Sequence, residues 1–152
     1  MLIFISTICL FNCKKYPEGG CERRGPKNII GDWKLSLYEV NGIDSTNLIN
    51  YNGNDGYKTI KIYKNVSVLQ IDQKSSIGNS ASFINNNKTI KINGDLVNSG
   101  QKCIIDAGIN YCFRLFFTPE SHSIEWEVQK LTKNELIITT SLKNSYKIKL
   151  IK

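Results

Sequence analysis

The sequence predicts an all-β protein that folds as an up-and-down antiparallel β-barrel of about eight to ten strands. Apolar and polar residues alternate with a period of two in runs that recur from Trp33 to the last residue. Short turn-forming segments separate these runs, and no long helix or βαβ pattern interrupts them. Closing such a meander into a barrel removes the unpaired edges of the sheet. A barrel of about eight strands has an interior that side chains can fill or that holds one small ligand.

Length and composition are typical of one folded domain. The chain has 152 residues, of which 41% are hydrophobic and 22% are charged, and this is enough for one buried core. The formal net charge is +7, but the lysines are spread singly along alternating strands such as SYKIKLIK. Lysine at outward strand positions discourages edge-to-edge pairing of sheets. We therefore expect solvated faces and no nucleic-acid partner.

An apolar run precedes the predicted domain. Residues 1–11 read MLIFISTICLF, which is typical of the apolar part of a secretory signal peptide and is too short to span a membrane. The motif LFNC follows, with Leu10 three residues before Cys13, and it resembles the lipobox of bacterial lipoproteins. This resemblance implies that residues 1–12 are a signal peptide and that Cys13 carries fatty-acyl chains such as palmitate. The alternative is an ordinary core helix that begins at residue 1.

Residues 13–29 read CKKYPEGGCERRGPKNI and show no apolar periodicity. Glycine and proline disfavour helix and strand in this segment, and its basic residues favour water or anionic lipid headgroups. We interpret it as a polar tether in which Cys21 is a free thiol. Because Lys14 follows Cys13, we expect the outer membrane of the cell envelope, with the membrane as a partner through the lipid anchor.

The barrel domain is predicted over residues 30–152. Its first strand, WKLSLYEV, sets Trp33, Leu35 and Leu37 on one face and Tyr38 on the other. The residues NGID then turn the chain, and residues 45–55 form a long loop or one short helical turn. Two hairpins follow, and one turns at the asparagines 85–87 because Asn tolerates the left-handed conformation. The remaining predicted strands are CFRLFF, which is apolar on both faces, SIEWEVQKL, ELIITTSL and SYKIKLIK.

Two stretches carry a resemblance to a known family: GDWKLSLYEVNGIDST near the start of the domain and IEWEVQKLTKNELIITT near its end. Both resemble bacterial lipocalin-like domain lipoproteins, and this implies a lipocalin-like, calyx-shaped barrel. It also implies that Gly31 and Trp33 lie at the closed end of the barrel, where the tryptophan is structural. Lipocalins usually stack an arginine from the last strand on this tryptophan, and here Lys147 or Lys149 is the candidate substitute. Trp126 is expected in the core.

Residues that could support catalysis or bind a metal are sparse. His122 is the only histidine and lies in a predicted turn, so no oriented base accompanies a nucleophile. The cysteines lack the paired short spacing of metal sites, and no glycine-rich phosphate loop joins a strand to a helix. We therefore predict neither an enzyme nor a cofactor or metal site. Cys103 and Cys112 are expected opposite each other on a hairpin, where a disulfide and two free thiols remain equal alternatives.

Two functions follow from a barrel of this size. The first is binding of a small hydrophobic or amphiphilic ligand in the interior, because one region has a surplus of apolar side chains and an arginine suited to an acidic head group. The candidate contacts are Tyr38, Ile105, Tyr111, Phe113, Arg114, Leu115 and Phe117. The second is a non-catalytic protein-interaction module, such as an accessory subunit, inhibitor or immunity factor, that presents the loops 45–55 and 94–102 to an envelope protein. An interior filled by side chains favours the second function.

Overall fold

Eight antiparallel strands close into a barrel in the computed structural model, which describes residues 13–49, 59–65, 68–73, 76–93, 105–106, 109–110 and 123–152. The barrel strands are β1 (Gly31–Val40), β3 (Thr59–Asn65), β4 (Val68–Gln73), β5 (Ser76–Ile84), β6 (Thr89–Asn93), β9 (Ser123–Leu131), β10 (Glu135–Ser141) and β11 (Ser145–Ile151). The short strand β2 (Ile43–Asp44) pairs with β1, and β7 (Ile105–Asp106) and β8 (Ile109–Asn110) form a separate hairpin. The helical segments are α1 (Gly25–Asn28) and the 3-10 turns Glu22–Arg24, Thr46–Ile49 and Asn85–Asn87.

The strands follow one another around the barrel in chain order, apart from the three short ones. The last strand closes on the first through six residue pairs, from Lys34 with Ile151 to Val40 with Tyr146. β6 pairs directly with β9, so the β7–β8 hairpin is not part of the barrel sheet. The predicted up-and-down antiparallel barrel is therefore confirmed. The predicted strand CFRLFF lies outside the described residues.

The predicted turn chemistry explains two of the tight connections. Asn41 and Gly42 have φ values of 52° and 77°, and Asn85, Asn86 and Asn87 have values of 50°, 57° and 69°. Glycine adopts this left-handed conformation freely, and asparagine tolerates it better than most residues. Both turns therefore lie where the sequence predicts them.

A β-bulge in β1 changes which of its side chains face the interior. Leu35 pairs with Leu150 and Leu37 pairs with Lys149, so Ser36 is an extra residue in β1. An extra residue reverses the inward and outward faces of the strand beyond it. Tyr38 is consequently buried and Leu37 is only half-buried, which corrects the prediction that Leu37 points inward and Tyr38 outward.

Every barrel strand contributes apolar side chains to one continuous core. One representative from each strand, all at most 2% exposed, gives the set Trp33, Ile60, Ile71, Ala81, Ile90, Trp126, Ile138 and Ile148. Close packing of this kind, together with the hydrophobic effect, is the main source of stability in a small domain.

The barrel has two distinct ends. We call the end where β1 begins the closed end, and the β5–β6 and β9–β10 turns lie there. The opposite end, where β1 ends, is the open end, and it holds the turns at 41–42 and 142–144. The long connections from β2 to β3 and from β6 to β9 also start and finish at the open end. The two ends therefore present different surfaces.

Residues 13–29, which we call the strap, pack across the closed end, and this corrects the prediction of a free polar tether. Tyr16 and Ile29 are only 2% and 1% exposed, and the Tyr16 hydroxyl donates to the backbone oxygen of Asn87 at 2.9 Å. The strap also joins the barrel wall, because the Leu131 amide donates to the backbone oxygen of Gly19 at 3.2 Å. A side chain on Gly20 would collide with the backbone of Leu131. Glycine thus permits close packing here, where its sequence context suggested flexibility.

Candidate functional site

Trp33 lies at the closed end and is held by polar contacts on its edge and its face. Its Nε1 donates to the backbone oxygen of Ile29 at 2.7 Å, and the side chain is 1% exposed. The Lys152 ammonium lies 4.4 Å from the centroid of the ring, a cation–π contact. The same nitrogen donates to the backbone oxygens of Asn28 and Ile30 at 3.1 and 2.7 Å. Burial lowers the pKa of Lys152, and the charge of Asp32 opposes that shift.

The cation on Trp33 comes from the last residue, not from Lys147 or Lys149 as the resemblance suggested. Lys147 lies 4.0 Å from the carboxylate of Glu18, and Lys149 lies 2.8 Å from that of Glu135. Both lysines therefore form ion pairs on the outer wall of the barrel and do not contact Trp33. Gly31 has a φ of +140°, and a Cβ there would lie 2.9 Å from the Lys152 side chain. Glycine at this position therefore suits the close approach of Lys152.

Cys13 and Cys21 form a disulfide within the strap, with Cα atoms 5.8 Å apart. Cys21 also pairs with Lys15 in an antiparallel backbone bridge. The disulfide therefore joins two facing segments of a tight turn. The prediction that Cys21 is a free thiol is therefore wrong. A sulfur in a disulfide cannot also form a thioether, so lipidation of Cys13 requires that this bridge be absent.

The candidate ligand contacts are only partly described. Tyr38 is 3% exposed, and its ring centroid lies 6.3 Å from that of Tyr146. Burial, with a smaller contribution from Tyr146, raises the pKa of Tyr38 to about 12. Ile105 belongs to the β7–β8 hairpin. The remaining candidates, Tyr111, Phe113, Arg114, Leu115 and Phe117, lie outside the described residues, as do Cys103, Cys112 and His122.

The described part of the interior is filled by side chains of the protein itself. Ile60, Ile148 and Leu150 are 0% exposed, and Trp126 in the middle of β9 is 1% exposed. A side chain that lines a solvent-accessible cavity keeps exposed area, whereas these keep almost none. The inward positions of the described barrel strands thus form a packed core.

A polar groove of about 280 Å³ lies on the outer wall, along β6, β9 and β10. Its lining includes Glu125, Glu127, Thr89 and Thr139. The Thr89 hydroxyl accepts from the amide of Asn85 at 3.2 Å, and that of Thr139 accepts from the amide of Gln129 at 2.9 Å. These hydroxyls are thus bound to amide donors rather than to a base that would activate them.

The open end carries two exposed apolar side chains, which we call the apolar rim. Ile43 is 69% exposed and Leu142 is 46% exposed, the two highest values among the large apolar side chains that the structure describes. Their turns are joined, because Asn41 donates to the side chain of Asn144 at 3.0 Å and accepts from the Ser145 amide at 2.9 Å. Sequence reasoning missed this surface, although the sequence NGI already sets an apolar residue directly after a tight turn.

Among the described residues, no group of three or more histidine, cysteine or acidic side chains is placed to hold a metal ion. The helices of the same residues include none with the length and apolar character needed to cross a bilayer. No protein-family model matches the chain, and neither the comparison with curated proteins nor that with solved structures gives a match.

Proposed function

We propose that the protein is an envelope-anchored, non-catalytic protein-interaction module whose open end contacts a protein partner. The observation that carries this proposal is the packed core of the described strands, since their inward side chains keep almost no exposed area for a carried ligand. An accessory subunit, an inhibitor or an immunity factor requires only a rigid scaffold and a recognition surface. The envelope location, with the outer membrane as the expected site, rests on the lipobox resemblance at Cys13.

The apolar rim is the second support for this function. Single exposed apolar residues are common on protein surfaces, but Ile43 and Leu142 project from two turns that are hydrogen-bonded to each other. A few side chains near the centre of an interface typically carry most of its binding energy. The two long connections that begin and end at the same end of the barrel can widen the contact.

The test is site-specific photo-crosslinking in cells of the native host. A photoreactive residue replaces Ile43 or Leu142 at the open end, and control positions are Ile30 and Ile151, each 38% exposed, at the closed end. We expect a cross-linked protein of defined mass from the open-end positions only. The same product from all four positions, or none from Ile43 and Leu142, contradicts the proposal.

Carriage of a small hydrophobic ligand is the second candidate function. It is favoured by the apolar run CFRLFF in the connection from β6 to β9, which attaches to the barrel at its open end. Native mass spectrometry of protein purified from the cell envelope tests this function and the anchor together. A retained small molecule supports carriage, and acyl mass on Cys13 supports the anchor. A chain without either mass contradicts both.

A further inference from the structure

The closed end carries more positive charge than the rest of the described surface. The strap contributes five basic side chains, all exposed: Lys14, Lys15, Arg23, Arg24 and Lys27. Two turns at the same end add Lys88 and Lys133, which are also exposed. Elements that are far apart in the sequence therefore place their basic side chains together, a clustering that is not evident along the chain.

Acidic groups at this end offset only part of that charge, because Asp32, exposed at the start of β1, acts on Lys152 and the others are buried or paired. Glu22 is 7% exposed, and Glu135 lies between Lys130 and Lys149, at 2.6 and 2.8 Å. Glu18 lies 4.0 Å from Lys147 on the outer wall. None of the seven basic residues above takes part in an ion pair with another described residue. Their charge is therefore available to an external anionic partner.

The path of the chain indicates which partner that is. Cys13 begins the strap, and the apolar residues 1–11 precede it with only Asn12 between them. If Cys13 is acylated, its lipid enters the bilayer beside the closed end. If residues 1–11 stay attached, their apolar side chains favour the same bilayer. In both cases the lipid surface lies next to the basic side chains.

We infer that the closed end docks on an anionic phospholipid surface, with the basic side chains against the headgroups and the apolar rim directed away from the membrane. Clustered lysine and arginine are attracted to anionic leaflets over about one Debye length, roughly 10 Å at moderate salt. This inference rests on the proposed envelope location and adds the orientation of the barrel. The open end is then free to meet a partner in the aqueous phase.

The first test measures how the full chain partitions into vesicles of phosphatidylglycerol and of phosphatidylcholine. The apolar N-terminal run contributes to both partition coefficients, so their ratio isolates the electrostatic part. We expect at least about a tenfold preference for the anionic vesicles, lost at high salt. Equal partition into both vesicles, or a preference that salt does not reduce, overturns the inference.

Lys88 and Lys143 form a matched pair of variants, because both are exposed lysines in turns between strands, at opposite ends of the barrel. Lys88→Glu is expected to lower the ratio about fivefold, whereas Lys143→Glu leaves it near the wild-type value. The double variant Arg23→Glu/Arg24→Glu repeats the test on the strap, and thermal unfolding verifies that each variant is folded. An equal loss from Lys143→Glu overturns the inference, because it indicates net charge without orientation.

Hydrogen exchange on the anionic vesicles reports the orientation directly. We expect slower exchange in residues 14–27, 85–88 and 132–134 than in solution, and unchanged exchange in residues 141–145. Slowing at the open end alone overturns the inference, and so does tight binding to duplex DNA without binding to vesicles. No protein partner enters these measurements, so their failure is separate from failure of the cross-linking test.

Discussion

Lys152 combines several stabilising contacts in one side chain. It lies over the ring of Trp33, and it donates to the backbone oxygens of Asn28, the last residue of α1, and of Ile30. Carbonyl groups at a helix end lack partners within the helix, and a cation satisfies them well. Lys152 therefore links the end of the last barrel strand to the end of the strap.

We expect Lys152→Met to lower the free energy of unfolding by about 1–3 kcal/mol, because it removes the cation–π contact and leaves two carbonyl groups without this donor. Urea unfolding measures the change. Lys143→Met removes an exposed lysine at the open end and is the control, with an expected effect within about 0.5 kcal/mol. Equal effects of the two substitutions contradict this role of Lys152.

The raised pKa values of Tyr16 and Tyr38 lead us to expect that the folded protein loses stability at alkaline pH. Burial raises the pKa of each from 10.0 to about 12, with further contributions from Glu22 and Tyr146 respectively. A group whose pKa is higher in the folded state stabilises the fold fully below its unfolded pKa, and this contribution is lost as the pH rises through its folded pKa. The free energy of unfolding should therefore fall between pH 10.0 and about 12. Urea titrations across this range should show a shallower fall for Tyr16→Phe/Tyr38→Phe than for the wild type.

The strap shows how a segment without apolar periodicity becomes part of the fold. Two buried side chains, Tyr16 and Ile29, hold it in place. Glycine at 20 permits close contact with the backbone of Leu131, and glycine at 25 permits close contact with the Tyr16 hydroxyl. Hydrogen bonds from Glu18 to Gln129 and from Leu131 to Gly19 attach it to β9. The bulge in β9 lies at the same place, since Ile137 pairs with Lys130 and Ile138 with Val128. The strap and the bulged strand therefore pack as one unit.

The disulfide between Cys13 and Cys21 is expected to stabilise the strap locally. Cys13 and Cys21 are separated by 8 residues, and closing so short a loop stabilises the folded state by about 2–3 kcal/mol in the chain-entropy treatment. In the chain without an acyl group on Cys13, which is the form that holds this bridge, we expect Cys13→Ser/Cys21→Ser to speed hydrogen exchange in residues 14–24 far more than in β10 and β11. Uniform acceleration across the barrel contradicts a local role.

The β7–β8 hairpin bears on the other pair of cysteines. In this hairpin Ile105 pairs with Asn110 and Asp106 pairs with Ile109. If the same register continued for two more residues, Cys103 would lie opposite Cys112, as the sequence predicts. A disulfide between them therefore remains a prediction. Peptide mapping without reduction should recover the two cysteines in one linked peptide pair, and separate alkylated peptides would contradict it.

At the scale of the whole molecule, closure of β11 on β1 joins the inward side chains of the described strands into a single packed unit. Inward side chains from all eight barrel strands belong to one cluster, so each of them contacts neighbours from distant parts of the sequence. Truncation of one side chain in such a core lowers the stability of the whole domain, because the close-packed neighbours relax only partially around the cavity.

We expect Ile148→Ala to lower the free energy of unfolding by about 2–4 kcal/mol, since Ile148 is 0% exposed and its truncation leaves a cavity. Ile43→Ala, at 69% exposure, is the control and should cost less than about 1 kcal/mol. Urea unfolding measures both. A small cost for Ile148→Ala would indicate an interior that is loosely filled, and would favour ligand carriage.

Much of the barrel could be predicted from local patterns. The alternation in SIEWEVQKL predicts that Ile124, Trp126 and Val128 face inward, and all three are buried. The faces of β1 beyond Ser36 could not be predicted in this way, because a bulge depends on how the partner strand is aligned. The clustered basic residues of the closed end were missed for a similar reason, since they come from the strap and from two turns that only the barrel brings together.

Strand content, the tight asparagine turns and the inward positions of the regular strands followed from the order of the residues alone, because side-chain alternation and left-handed turn preferences act over a few neighbouring residues. The folded barrel was needed to show that residues 13–29 pack as a strap, that Lys152 covers Trp33 and that Tyr38 belongs to the core. Those outcomes depend on close packing between residues more than a hundred positions apart, such as Asn28 and Lys152, and no local pattern encodes such contacts.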